Sequence, residues 1–179
     1  GANDFTGAVS LSNSGTNNVG LTDANALDLG TVAVGQNLTI TATGGALTDS
    51  GAVTVAGLAT IVSTGQTVTL GDSTTANFGS LDFAGAAVTI TEGSAMAVAA
   101  SEATGALALV ANGAITQSGA IDADSTSSFT AGANAITLTQ GANDFTGAVS
   151  LSNSGTNNVG LTDANALDLG TVAVGQNLT

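Results

Sequence analysis

GANDFTGAVSLSNSGTNNVGLTDANALDLGTVAVGQNLT, residues 1–39, returns letter for letter as residues 141–179. One copy starts at Gly1 and the other at Gly141. A unique globular site gains nothing from a second copy of its opening block. A repeat array does, because each unit packs only on its neighbours and the same surface must recur. The chain therefore reads as one full repeat, residues 1–140, followed by the start of an identical one, residues 141–179, in a single continuous array.

A second period lies inside the first. Leu107 and Leu109 match Leu38 and Ile40 at an offset of 69, and the stretch from residue 88 matches that from residue 159 at an offset of 71. The unit is thus two diverged halves of about 70 residues, a shorter period nested in the longer one.

Local patterning is β throughout. Short alternations recur: Val9-Ser10-Leu11, Leu38-Thr39-Ile40, Val53-Thr54-Val55, Val68-Thr69-Leu70, Val88-Thr89-Ile90 and Ile136-Thr137-Leu138. Aliphatic residues at i and i+2 with Thr between put one face inward and the other outward. Clusters of Gly, Asn, Ser and Asp separate them, which is turn chemistry. The Ala-rich run from Met96 to Val110 is the one place where a helix competes. Its alignment with the strand-like stretch around Leu38 assigns it to β as well.

An aliphatic–Thr/Gly–acid/Gln motif supplies the finest ruler. It begins at Leu21, Leu47, Leu70, Ile90, Ile115, Leu138 and Leu161. The steps average about 23 residues, a length that suits one coil of a solenoid. Six such steps separate Leu21 from Leu161, so six fill one repeat. Each step holds three short strand signals. The expected fold is all-β: a right-handed parallel β-helix (β-solenoid) of about 23 residues per coil and six coils per repeat. Inward columns are expected along Leu38, Ile61, Phe83, Leu107, Phe129 and Leu151, and along Val55, Phe78, Val98 and Ile121.

Composition fits this. The apolar fraction is 43%, with only five Phe and no Trp or Tyr, so the core must be narrow and aliphatic. No Pro interrupts the strands, each of which must donate its N–H groups to a neighbouring coil. There is no Cys, which removes disulfides and thiolate metal sites. No apolar run approaches the ~20 residues of a membrane span, so this segment is expected not to insert in a membrane.

Net charge is −13, with no Lys, Arg or His. Nothing here can neutralise phosphate, so nucleic acid is excluded as a partner. Most acid–base and nucleophilic constellations cannot be built from carboxylates and hydroxyls alone. A carboxylate-based polysaccharide-active enzyme is the remaining catalytic option. It lacks the basic and aromatic side chains that would hold a sugar, so the expectation is that the chain is no enzyme.

If the motif stacks in register, Asp23, Asp49, Asp72, Glu92 and Asp163 form an acidic ladder, interrupted by Gln117 and Gln140. Carboxylates about 5 Å apart must splay, take up protons or share cations. One reading is a row of weak Ca²⁺ sites, with Ca²⁺ as the one conceivable cofactor. The other is that these acids cap the backbone at corner turns. The Thr residues of the motif, Thr22, Thr48, Thr91, Thr116, Thr139 and Thr162, raise ice binding as a function, against the plainer reading of an ordinary exposed strand face.

The stretch LTDANALDLGTVAVGQNLTITATGGALTDSGAVTVAG, residues 21–57, resembles the repeat regions of giant bacterial surface proteins of the filamentous-haemagglutinin-like class. The resemblance is one of style and covers the whole chain. It implies a β-helix stalk, an extracellular or cell-surface location, and a role in adhesion, aggregation or matrix formation. The expected partners are further copies of the repeat end to end, and lateral copies in a fibre. The alternative is a solenoid that binds polysaccharide or ice.

Overall fold

The structure is a computed structural model, and it describes residues 3–179. Twenty strands make one sheet in which every pairing is parallel, with no helix among the described residues. Strands pair with strands about one coil away, so the sheet winds on itself as a β-solenoid. One coil shows the plan: Leu107–Ala111, Ile115–Gln117 and Ile121–Ala123 are three strands joined by short bends, and Ser127–Thr130 then stacks on the first. The Ala-rich run is strand here too, as Met96–Val98, Ser101–Ala103 and Leu107–Ala111.

Alternation decides which side chains enter the core. In Leu107–Ala111 the odd positions are buried and the even ones face out. Columns of buried residues follow. One runs Leu27, Leu47, Val68, Val88, Leu107, Ser127, Val149. Another runs Leu29, Asp49, and a third Ile40, Ile61, Phe83. Phe129 lies under Leu151, and its ring meets that of Phe145 edge-on at 5.8 Å and 75°. Stacked aliphatic side chains remove a continuous rod of apolar surface from water, which is the main force holding parallel coils together.

The coil is shorter than the motif suggests. Leu27 faces Leu47, Leu47 faces Val68 and Val68 faces Val88, which makes the step 20 or 21 in the numbering. At that length seven coils fill the repeat of residues 1–140, where the motif spacing of about 23 predicts six. The motif is no fixed mark on the coil, because its copies fall on different faces. Leu21 faces Ile40, whereas Leu47 faces Leu27 and Val68. The expected columns hold at three of their eight steps for the same reason, and Val98 faces Leu81 and Gln117 rather than Phe78 and Ile121. Ile61 does face Phe83, Val55 faces Phe78 and Phe129 faces Leu151, but Leu38 faces Ala59 and Leu107 faces Ser127.

Corners are tight. Gly71 has φ +72°, and a Cβ there would lie 2.0 Å from the Thr91 carbonyl oxygen one coil on, so no other residue fits. Register shifts mark one corner in both copies of the block, between Val9 and Leu11 and again between Val149 and Leu151.

The duplicated block provides an internal control on burial. Leu29 is 0% exposed and its copy Leu169 is 44% exposed; Phe5 is 36% exposed and its copy Phe145 is 1%. The local sequence is the same in each pair. The difference is whether a neighbouring coil covers the residue.

Candidate functional site

The polar side chains that matter lie at the corners, and their dominant task is to hold the adjacent coil. A strand that ends at a corner leaves backbone N–H groups beyond the reach of the ladder, and these need acceptors. Side-chain oxygens supply them. The Phe5 N–H donates to Asp23 Oδ1 at 3.0 Å, and in the second copy the Phe145 N–H donates to Asp163 Oδ1 at 3.0 Å. The Phe78 N–H donates to Glu92 Oε1, Gly71 N–H to Asp49 Oδ1, Leu58 N–H to Asn37 Oδ1 and Ile121 N–H to Asn143 Oδ1. Each bond joins residues from neighbouring coils.

These placements correct the expected acidic ladder. Asp23 lies opposite Ala42, Asp49 opposite Leu29, and Glu92 opposite Ala111. Asp72 is exposed in the bend after Val68–Leu70. Asp23, Asp49, Asp72, Glu92 and Asp163 are therefore not neighbours in one column. The cause is the coil length: a motif that recurs at a longer step than the coil slides around the perimeter. Among the described residues no three His, Cys, Asp or Glu side chains converge as a metal site. The reading of the acids as corner caps needs refinement, since the backbone N–H groups they cap belong to the neighbouring coil, with Glu92 also accepting from the Ser94 hydroxyl in its own bend.

Asp49 engages both carboxylate oxygens, with the Gly71 N–H and the Thr74 hydroxyl, but the other capping acids use only one. Asp23 and Glu92 are fully buried, and each uses one carboxylate oxygen while the other, Oδ2 or Oε2, has no partner. Asp163 Oδ2 is in the same position. Burial pushes the Glu92 carboxyl above its ordinary range, against the opposing pull of hydrogen bonds from the Phe78 N–H and the Ser94 hydroxyl.

Asn143 is the most connected corner residue. It is fully buried. Its Oδ1 accepts from the Ile121 N–H at 3.0 Å and from Gln117 Nε2 at 2.8 Å. Its Nδ2 donates to Gln117 Oε1, the Leu138 carbonyl and the Thr162 carbonyl. One carboxamide thus ties several coils, and Gln117 pairs with it through both of its amide atoms. Nothing in the motif analysis pointed to Asn143.

A true acidic ladder does exist, on another face. Glu102 faces Asp122 and Asp122 faces Asp144, each directly across a parallel pair. Like charges at this separation repel. The Asp122 carboxyl is raised above its ordinary range, first by desolvation and then by the negative charges of Asp124, Asp144 and Glu102. Asp82, beside this ridge, is raised by burial. A folded-state pKa above the unfolded one favours the fold in acid, and that contribution is lost as pH rises through the folded value. Asp122→Asn should therefore raise the thermal midpoint at neutral pH, and the gain should vanish below the carboxylate range and shrink in high salt, which screens the repulsion but not the desolvation. Thermal melts across pH check this; a gain of equal size at every pH would show that repulsion is not its source.

The Thr residues also regroup. Thr48, Thr69 and Thr89 stand in register on one outward row, continued by Ala108, Ser128 and Ser150. Thr22 faces Thr41 and Thr116 faces Thr137, so the motif Thr residues do not share a column. No helix among the described residues is long and apolar enough to cross a membrane.

A family model described as repeats of unknown function, DUF5649, matches residues 16–83 and again residues 85–152. No curated protein and no solved structure matches the chain.

Proposed function

As the chain belongs to the family described as repeats of unknown function (DUF5649), we propose that it is a length of structural, adhesive fibre, non-enzymatic, working at a bacterial cell surface or in the extracellular matrix. The observation that carries this reading is the duplicated block. The second copy packs on the coils before it as one more length of the same solenoid, with Phe145, Val149 and Leu151 buried in the shared core. A repeat whose second copy continues the same core can be extended by more of the same repeat, so the partners on this reading are further copies end to end, with lateral copies thickening the fibre. The missing Lys, Arg, His and Cys support a structural role. The resemblance of residues 21–57 to filamentous-haemagglutinin-like repeats supports the adhesive role and the location. Cations enter as diffuse counter-charge for the ridge of Glu102, Asp122 and Asp144, Ca²⁺ among them.

Immunogold electron microscopy of producing cells, with antibody raised against the duplicated block, tests the proposal. Gold along filaments or stalks outside the cell is the expected result. Label confined to the cytoplasm overturns it. The in-register row Thr48, Thr69 and Thr89 favours a second reading, a solenoid that binds polysaccharide or ice through that face. On that reading Thr69→Lys abolishes binding and leaves the filaments intact.

A further inference from the structure

We propose that Asn112 is a site of spontaneous covalent modification, a built-in succinimide-forming position that converts to aspartate and isoaspartate as the protein ages. The inference is independent of the fibre reading.

Asn112-Gly113 is the one Asn-Gly pair in the chain. It occupies the corner between the strands Leu107–Ala111 and Ile115–Gln117. The Asn112 side chain is exposed, and its carboxamide makes no hydrogen bond among the described residues. Its backbone N–H is held by the Glu92 carbonyl at 2.9 Å, which anchors the residue from one side, while the Gly113 N–H has no acceptor among the described residues. Electrophile and nucleophile are thus adjacent and both unengaged. Other asparagines differ. Asn143 and Asn153 are buried and their amides are fully engaged. Asn17 and Asn25 are exposed but precede Asn18 and Ala26, whose side chains crowd the attacking nitrogen.

The chemistry balances without any oxidant or cofactor. Solvent base removes the Gly113 N–H proton. The nitrogen attacks Asn112 Cγ, the new C–N bond forms, the Cγ–Nδ2 bond breaks, and ammonia leaves. Water then opens the five-membered imide. Attack at Cγ yields aspartate, and attack at the α-carbonyl carbon yields isoaspartate, in which the chain runs through the side-chain carbon.

Packing explains why so labile a pair stands here. A Cβ on residue 113 would lie 2.6 Å from the Ala95 nitrogen and 2.7 Å from its Cα. Only glycine allows this coil to settle on the one before it, so stacking itself requires the small, unhindered neighbour that speeds imide closure. Isoaspartate would lengthen the backbone at this corner and displace Ile115, which faces Met96 and Ile136.

The test is to incubate the folded protein at mildly alkaline pH in ¹⁸O-labelled water and digest it with a protease that cuts after acidic residues. Cleavage after Glu102 and Asp122 releases a peptide whose only asparagine is Asn112. The expected result is amide-to-acid conversion with ¹⁸O uptake in that peptide, severalfold faster than at Asn17 or Asn25, with isoaspartate exceeding aspartate. Asn112→Gln, exposed at a surface corner, should fold normally and abolish the conversion. Conversion at Asn112 no faster than at Asn17 and Asn25 overturns the proposal, as does an unchanged rate in the peptide of the Gln variant.

Discussion

Phe145→Ala will cost about 3–5 kcal/mol of stability, the range for emptying a buried aromatic site, whereas Phe5→Ala, the same substitution in an identical local sequence, will cost about 1 kcal/mol or less. Phe145 is sealed between coils with its ring set edge-on against Phe129. Its removal opens a cavity the narrow core cannot close by collapse, because the backbone on either side is pinned by the parallel ladder and by the bond from the Phe145 N–H to Asp163. Phe5 makes the equivalent bond to Asp23, but in this 179-residue chain its side chain is 36% exposed. Urea denaturation of the two variants measures the difference. Equal costs would mean that side-chain identity, and not coverage by a neighbouring coil, sets the energetics, and the account of stacking would fail.

Asn143→Ala is the second large effect. The carboxamide satisfies the Ile121 N–H and the Leu138 and Thr162 carbonyls as well as both ends of the Gln117 amide. Alanine leaves the Ile121 N–H and the Thr162 carbonyl without partners, at about 1–3 kcal/mol for each one orphaned, and strips one bond from the Leu138 carbonyl and from each end of the Gln117 amide, which keep the Thr162 N–H, the Gly119 carbonyl and the Gln140 N–H. Partial relaxation and water entry lower the sum, and a loss of about 3–5 kcal/mol is expected on the same scale. Asn143→Asp should be as damaging. It keeps the acceptor for Ile121 but turns an oxygen towards the two carbonyls that Nδ2 now serves. The copy at Asn3 is exposed and donates one bond, to the Thr22 carbonyl at 2.8 Å, so Asn3→Ala should cost about 1 kcal/mol. Hydrogen exchange at the Ile121 amide gives a local check, since that N–H loses its acceptor in Asn143→Ala and retains one in Asn3→Ala.

Much of the architecture is legible in the sequence. Aliphatic-Thr-aliphatic triplets separated by Gly, Asn and Asp mean short strands, and a verbatim block means stacking. The register was not legible. Strands such as Val53–Ser63 and Ala76–Gly85 continue through positions where other coils bend, so corners leave no uniform mark in the sequence. A ruler built on Leu21, Leu47 and Leu70 therefore counted residues on different faces. The acids show the cost of that error. Asp23, Asp49 and Glu92 were grouped by motif, and the structure assigns each to a separate corner bond. Glu102, Asp122 and Asp144, which do stack, are spaced close to the true coil step and would stand out once that step replaces the motif spacing. Asn143 offered no local signal. An asparagine in a turn-rich sequence looks like a turn residue, and its reach into adjacent coils appears only when those coils are in place.

The most direct test is X-ray fibre diffraction from aligned material containing several full repeats. Seven coils stacked at about 4.8 Å place the axial repeat at roughly 34 Å, with a strong meridional reflection at the coil spacing. A repeat near roughly 29 Å would mean six coils of about 23 residues and would contradict the register described here, and the absence of any meridional reflection near about 4.8 Å would contradict the solenoid itself.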